Sequence, residues 1–333
     1  ETAYNKEEFD AAMEEQKTRA REAIDKSDSG WKKDGNDEIF KDLSNEFSGY
    51  SEVEGDTEIT NIFMDDKKVD SIKAGDKALV VLANTPFYGE SGGQIGDTGR
   101  ITGDGFAMEV TDTQKTKGGL FLHSVKVTEG SAKVGAKAFA KIDDLRRDDI
   151  RRNHSATHLL HAALRQVLGT HVHQAGSLVA PDRLRFDFSH YQAMTQEEIA
   201  KVERIVNEKI LEAIPVVTEE KPLKEAKEEG VMGLFESKYG EIVRVLKMGK
   251  FSMELCGGTH VKNTSEIGLF KIVVETGTAA GVRRIEAITG HAAYQYVLDN
   301  EKLIEDIAGK LKSNHGDICL LYTSPSPRDA TLS

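Results

Sequence analysis

Cysteine is nearly missing. Cys256 and Cys319 are the two in 333 residues, too few and too far apart for a disulfide framework, which fits a reducing cytosol. No run of about 18 apolar residues is present, so no membrane span is indicated. The first residues, Glu1-Thr-Ala-Tyr, lack the basic-then-apolar order of an export signal. A starting Met is also lacking, and the chain is expected to be a piece of a longer one. Positive charge is in deficit: 44 Lys and Arg stand against 56 Asp and Glu, a net charge of −12. That argues against nucleic-acid binding spread over the whole surface, but not against a local basic face. The rest is ordinary for a globular protein, 38% hydrophobic and 30% charged, with room for two or three domains. No repeat or low-complexity tract interrupts it.

Against this background His154-Ser-Ala-Thr-His158 stands out. Two imidazoles four residues apart on a helix project from one face and can share one metal ion. Far downstream, Cys256-Gly-Gly-Thr-His260 offers a thiolate and another imidazole from a short Gly-rich turn. Each half alone reads as easily in an ordinary way, the His pair as solvated or core-lining and the Cys as a small buried apolar residue. In a chain with ten His and two Cys, two such tight clusters together point to a metal. The set His154, His158, Cys256 and His260 suits zinc. His161, on the next turn, is read as a neighbour rather than a ligand. The pairs Arg146-Arg147, Arg151-Arg152 and Arg283-Arg284 suit phosphate contacts, although each alone reads as solvated surface charge.

Along the chain, Phe9, Met13, Ala20 and Ile24 recur at helical spacing, and residues 39–43 read as a further short helical piece. Short β-type runs follow at 58–63, 77–82, 106–110, 120–127 and 137–142, predicting a small antiparallel barrel or sandwich. The glycine-rich stretch 85–97 is weak as a phosphate loop, since it has no Gly-Lys-Ser/Thr ending. It is read instead as a tight irregular turn needing positive φ. A helix is predicted from Asp148 to Gly169, with the histidines off its main apolar face. Strands follow at 171–179 and 184–189, with His171 and His173 as polar surface or pocket lining. Thr195-Gln-Glu-Glu198 is a capping-box start for a helix running up to Pro215 and covering a sheet. A strand at 216–218, a solvated short helix at 221–229 and a hairpin of 241–246 with 251–255 lead to Cys256, placing the thiol at a strand end. Runs at 270–274 and 282–288 flank a glycine-rich loop at 276–281, and a last helix runs from Ala292 to about Lys312.

The residues that carry chemistry resemble those of alanyl-tRNA synthetases. Arg152-Asn-His-Ser-Ala-Thr-His-Leu-Leu-His161 with Glu254-Leu-Cys-Gly-Gly-Thr-His-Val261 is similar to the family's editing-site pair. Residues 85–97 and 277–286 resemble its other signatures, and the likeness covers about residues 1–318. It implies an α+β fold: a small antiparallel β-barrel followed by an α+β editing domain of the threonyl/alanyl type, flanked by helices. The implied divisions are the end of a tRNA-recognition helical region (1–45), the barrel (46–145), a zinc-binding editing domain (146–290), the start of a C-terminal helical region (291–318) and a non-native tail (319–333).

The resemblance further implies a cytoplasmic protein acting on tRNA(Ala), without a membrane, and oligomers through a C-terminal region not contained here. ATP would serve only an aminoacylation domain that this stretch lacks. What the stretch is expected to carry is proofreading, the hydrolysis of Ser-tRNA(Ala) and Gly-tRNA(Ala), with one Zn2+ per chain. His260 stands either as a fourth ligand or beside the metal. Thr157 and Gln174 match the family's pocket positions and are expected to read the amino-acid side chain, with Arg283 and Arg284 touching the tRNA end. Two rival readings are a free-standing trans-editing deacylase and a non-catalytic tRNA-binding module with a structural zinc. A protease-type zinc hydrolase is disfavoured, because the first motif has no His-Glu-x-x-His base.

Overall fold

Alternation of inward apolar and outward polar side chains over residues 54–142 closes a sheet on itself. In this computed structural model, which describes residues 39–231, 233 and 240–311, six strands form that ring: β2 (Glu54–Met64), β5 (Lys77–Leu82), β7 (Gly99–Gly103), β8 (Phe106–Lys115), β9 (Phe121–Lys133) and β10 (Lys137–Ile142). The order β10-β7-β8-β9-β5-β2 is sealed by antiparallel pairing of β10 with β2. Closure leaves no strand edge within the ring. Two three-residue strands, β3 (Lys67–Val69) and β4 (Ser71–Lys73), add to β2 and β9. The period of two overrides bulk in β10, where Ala138, Ala140 and Ile142 face the core and Phe139 faces out. Ile59, Ile62, Leu82, Ile101, Met108 and Val125 fill the interior.

Residues 39–42 form a turn, not the expected helical piece, with Leu43 N–H donating to Phe40 O at 3.0 Å. One aromatic anchor decides this: Phe40 is buried edge-on against Phe63, centroids 5.0 Å apart. A parallel pair, β1 (Glu46–Phe47) with β6 (Asn84–Thr85), leads into the glycine-rich loop. The helix expected at Phe9 to Ile24, Cys319 and the expected tail lie outside the described residues.

Helix α1 (Asp144–Leu168) starts directly after the barrel, its N-terminus capped by the Asp143 carboxylate. With α2 (Gln196–Leu211) it covers a four-stranded antiparallel sheet in the order β11 (Gln174–Val179), β12 (Leu184–Ser189), β17 (Val282–Thr289), β16 (Phe270–Ala279). Leu160 and Leu164 of α1, Val202 and Val206 of α2, and Phe186, Phe270 and Ile285 of the sheet share this core. Both bonds of the Thr195–Glu198 capping box are present. The loop expected at 276–281 is mostly strand: pairing continues to Ala279 opposite Val282, leaving a tight turn that Gly281 closes at φ 72°. An antiparallel sheet of β13 (Val216–Pro222), β14 (Ile242–Met248) and β15 (Ser252–Leu255) shares this core through Leu246 and Met248, with short α3 (Leu223–Glu228) against it. Helix α4 (Gly290–Leu311) follows β17.

The histidines of α1 lie off its main apolar stripe, as expected: Ala156, Leu160 and Leu164 pack in the core, whereas His154 and His158 gather with Cys256 and His260. Every residue from Asn153 to His161 is nonetheless buried, so the polar ones must find partners inside. No helix among the described residues is long and apolar enough to cross a membrane.

Candidate metal centre

Three local devices bring the ligands together. The α-helical period stacks His154 over His158, with ring centroids 5.4 Å apart and planes 19° from parallel. The β14–β15 hairpin turns at Gly249, φ 58°, and ends at Leu255, which fixes where Cys256 emerges. Gly257 and Gly258 then fold the chain back beneath His154. A Cβ on Gly258 would lie 2.0 Å from His154 Cε1, so only glycine allows the approach. His260 lands with its ring 4.4 Å from that of His154 and 5.1 Å from that of His158.

Cys256 Sγ lies 3.5 Å from His154 Nε2 and 3.2 Å from His260 Nε2. The ligand atoms of His154, His158, Cys256 and His260 all lie within 4.8 Å of one another. Tetrahedral zinc with Zn–S of about 2.3 Å and Zn–N of about 2.0 Å places its ligands roughly 3.3–3.6 Å apart, so the set needs little contraction to close on an ion.

The outward nitrogens are held as well. His154 Nδ1–H donates to Gln94 Oε1 at 2.8 Å and His158 Nδ1–H to Glu254 Oε2 at 2.6 Å, while His260 Nδ1 meets Ser155 Oγ at 3.3 Å. Carboxylate and amide oxygens only accept, so these bonds put the proton on Nδ1 of His154 and His158 and turn Nε2 toward the thiol. His158 Nε2 is buried without a hydrogen-bond partner, as is His161 Nε2, but the former belongs to the cluster with Cys256 and His260, where a cation would bind it. The donor chemistry, the spacing and this unpartnered atom all fit zinc.

The electrostatics agree. Desolvation alone would raise the Cys256 thiol, but the charges of His154, His260 and His158 hold it well below its ordinary value. Burial, assisted by the His154 charge, pushes His260 down to about 3. Burial works against a charged His158, yet Glu254 and Cys256 raise it to about 10. Glu254, which burial would raise, is pulled down to about 2 by His158 and His161. The neighbouring charges thus favour the thiolate form of Cys256 and the charged form of His158, and an ion binding there would displace the His158 proton.

His161 stands beside the centre, as expected, and braces Glu254 through Nδ1 to Oε1 at 2.8 Å. Sequence reasoning passed over Gln94, Ser155 and Glu254 as working parts. Glu254 left a signal, since a residue two before Cys256 in an extended segment shares its face. Gln94 left none beyond its place in the 85–97 loop. That loop is the irregular turn expected, with Gly92 and Gly93 at φ 61° and 91°. Its contribution is to deliver Gln94 to the centre and Asp97 to Arg147.

Arg147 corrects another expectation. It is fully buried, neither solvated nor free for phosphate. Its guanidinium is occupied by the Asp97 carboxylate, Gly49 O at 2.7 Å and Pro86 O at 2.8 Å. Arg283 forks onto Glu275 at 2.7 and 2.8 Å, and Arg284 onto Asp187 at 2.7 and 2.8 Å. Thr157, just before His158, is buried and donates its hydroxyl to Asn153 O at 2.8 Å. Gln174 is half-buried at the start of β11. A cavity of about 470 Å³ opens beside the cluster, with Thr259, His260, Arg151, Arg152, Arg244 and Lys262 in its walls and neither Thr157 nor Gln174 among them. Arg244 stacks on Tyr50 at 4.0 Å and donates to Gly258 O at 2.7 Å, bracing the ligand turn.

Comparison with known proteins shows the family. Residues 243–286, which include Cys256 and His260, match the second additional domain of threonyl and alanyl tRNA synthetases. Residues 2–146 match the class II (A) tRNA synthetases. The chain is 50% identical over 310 residues to the alanine--tRNA ligase of Acetivibrio thermocellus, an alignment covering 93% of this chain. It belongs to the alanyl-tRNA synthetase family. The chain spans 35% of the length of that curated relative. His154 and His158 lie between the two matched stretches, and α1 carries them to Cys256 and His260 within the second.

Proposed function

We propose that this chain is the proofreading part of an alanine--tRNA ligase, acting in the cytoplasm, and that it hydrolyses the ester of tRNA(Ala) wrongly carrying serine or glycine. On this reading the ATP-dependent attachment of alanine belongs to the ligase outside this stretch. The observation that carries the reading is the convergence of His154, His158, Cys256 and His260, each imidazole held from behind, beside a basic cavity. The chemical need is general. A site shaped for a methyl group cannot exclude glycine by size and discriminates weakly against an added hydroxyl, so a second, hydrolytic site must supply the missing accuracy.

Zinc held by all four side chains would have no position left for water, and would organise the site rather than generate the nucleophile. The chain's own residues then bind and orient the substrate. Thr157 donates a hydrogen bond from its hydroxyl to Asn153 O and keeps a lone pair that can accept from a serine hydroxyl. Gln174 offers both a donor and an acceptor. Arg283 and Arg284, each held by its own carboxylate, are proposed to touch the tRNA end. The divisions 1–45, 46–145, 146–290 and 291–318 are proposed as the working units.

The test is deacylation of Ser-tRNA(Ala), Gly-tRNA(Ala) and Ala-tRNA(Ala) by the zinc-loaded chain. Hydrolysis of the first two, sparing the third and lost in Cys256→Ala, is expected. Tight tRNA binding without hydrolysis would replace this reading with that of a tRNA-binding module holding a structural zinc.

A further inference from the structure

The four clustered ligands come from α1 and the turn after the β14–β15 hairpin, yet one of the groups that hold them comes from the barrel's loop. Gln94 is fully buried. Its Oε1 accepts from His154 Nδ1 at 2.8 Å and from Thr259 N–H at 2.9 Å, and its Nε2 donates to Thr259 Oγ1 at 2.9 Å. One carboxamide therefore grips a ligand on α1 and the backbone between Cys256 and His260. The assignment of its oxygen is dictated by Thr259, whose backbone N–H requires an acceptor.

The loop is built to keep that carboxamide still. Ser91 and Gln94 exchange backbone bonds at 3.1 and 3.0 Å, and Val179 N–H donates to Gly93 O at 2.7 Å. Ile95 N–H donates in turn to Val179 O at 3.2 Å. These bonds stitch the loop to the end of β11. Gly93 must be glycine twice over, with φ 91° and a Cβ that would fall 2.6 Å from Ser177 O. Gly258 completes the packing from below, since a Cβ there would also meet Gln94 Oε1 at 2.9 Å. Nothing in this arrangement is needed to close the barrel, whose ring is complete without residues 86–98.

We propose that Gln94 is a positioning residue of the metal centre, fixing the His154 tautomer and the 256–260 turn together, so that the barrel is a working part of the zinc site. This rests on reading the cluster as a metal centre. Groups that hold metal-ligating imidazoles from behind commonly set affinity by about 10–100-fold, and a group that also holds a second ligand segment belongs in that range.

The experiment uses the whole chain and measures zinc affinity by competition with a chromophoric chelator, with the cobalt(II) spectrum as a second readout of ligand geometry. Gln94→Met keeps length and volume but cannot accept, and is expected to weaken zinc by about 10–100-fold and alter the cobalt bands. Gln94→Glu keeps an acceptor for both His154 and Thr259, whose hydroxyl can rotate to donate, and is expected to recover most of the loss. Should Gln94→Met unfold, Gln94→Asn, one methylene shorter, takes its place against Gln94→Glu. Parental affinity and spectrum in the Met variant, or equal weakening in the Met and Glu variants, would overturn the proposal. Failure of the parent chain to bind zinc at all would overturn the metal reading and this one with it, a distinct outcome.

Discussion

Two buried histidines, His123 in the barrel and His158 on α1, meet opposite fates. Each ring is enclosed, yet His123 has both nitrogens satisfied, Nδ1 by Val80 O at 2.9 Å and Nε2 by Thr85 Oγ1 at 2.7 Å. Burial pushes it down to about 4, and it sits neutral as a core residue. His158 has one nitrogen on Glu254 and the other bare, and is raised to about 10 against the effect of burial. Enclosure alone therefore does not mark a functional histidine. A carboxylate behind the ring and an unpartnered nitrogen in front of it, facing other ligands, do.

The contrast breaks first at the join between the two regions. Arg147 anchors α1 to the barrel loop through Asp97, with 0% and 1% of the two side chains exposed. Removing one partner of a buried pair strands the other charge, so Arg147→Ala is expected to cost about 3–5 kcal/mol in urea unfolding. A loss below about 1 kcal/mol would show that the join is held elsewhere.

His123 supplies the next largest effect, with a definite sign. Its folded-state value lies below its ordinary 6.5, at about 4, so between these pH values the unfolded chain takes up a proton that the native chain refuses. The stabilisation is present above the ordinary value and lost as pH falls toward the folded one, by roughly 3 kcal/mol in full. Metal-free protein should lose stability between pH 7 and 4.5, and His123→Gln should remove part of that slope, the rest belonging to His260, held lower still at about 3. Glu254, held at about 2 from an ordinary 4.5, acts by the same linkage only at lower pH.

On the other side of the contrast, Glu254→Gln replaces the carboxylate shared by His158 and His161 with a group that can accept on one side only. Zinc affinity is expected to fall by about 10–100-fold, read by chelator competition. An unchanged affinity would mean that His158 is oriented by helix packing alone.

What could be read in the sequence follows the reach of its signals. Strands β5, β10 and β12 match the predicted runs residue for residue, because short β-type runs bounded by turn residues are a local signal. The Thr195 capping box is also present, and the hairpin before Cys256 lies within a residue or two of its predicted bounds. Strand β7 was missed because Gly-Arg-Ile-Thr-Gly carries a single large apolar residue and draws its order from both neighbours. The 276–281 stretch looked like loop from its glycines, yet pairing with β17 holds it extended. The ligands were legible as two short spacings, whereas Gln94 reaches His154 across 60 residues of chain with a side chain of no distinctive spacing. Arg147 looked like surface charge because its partner Asp97 is brought to it only by the fold.

The smallest expected change tests the part of the site that structure and sequence leave furthest apart. Thr157 donates to the Asn153 carbonyl at 2.8 Å, a bond within one helix whose loss costs about 1 kcal/mol or less. Thr157→Val should therefore leave unfolding almost unmoved. If Thr157 reads the serine hydroxyl, the same change should slow hydrolysis of Ser-tRNA(Ala) by roughly 5–10-fold, the worth of one neutral hydrogen bond. It should spare Gly-tRNA(Ala), since glycine has no hydroxyl to offer. Equal losses on both substrates would make Thr157 a residue that shapes α1 around His158. No loss on either would remove it from substrate recognition and leave the reading of the side chain to Gln174 or to the walls of the neighbouring cavity.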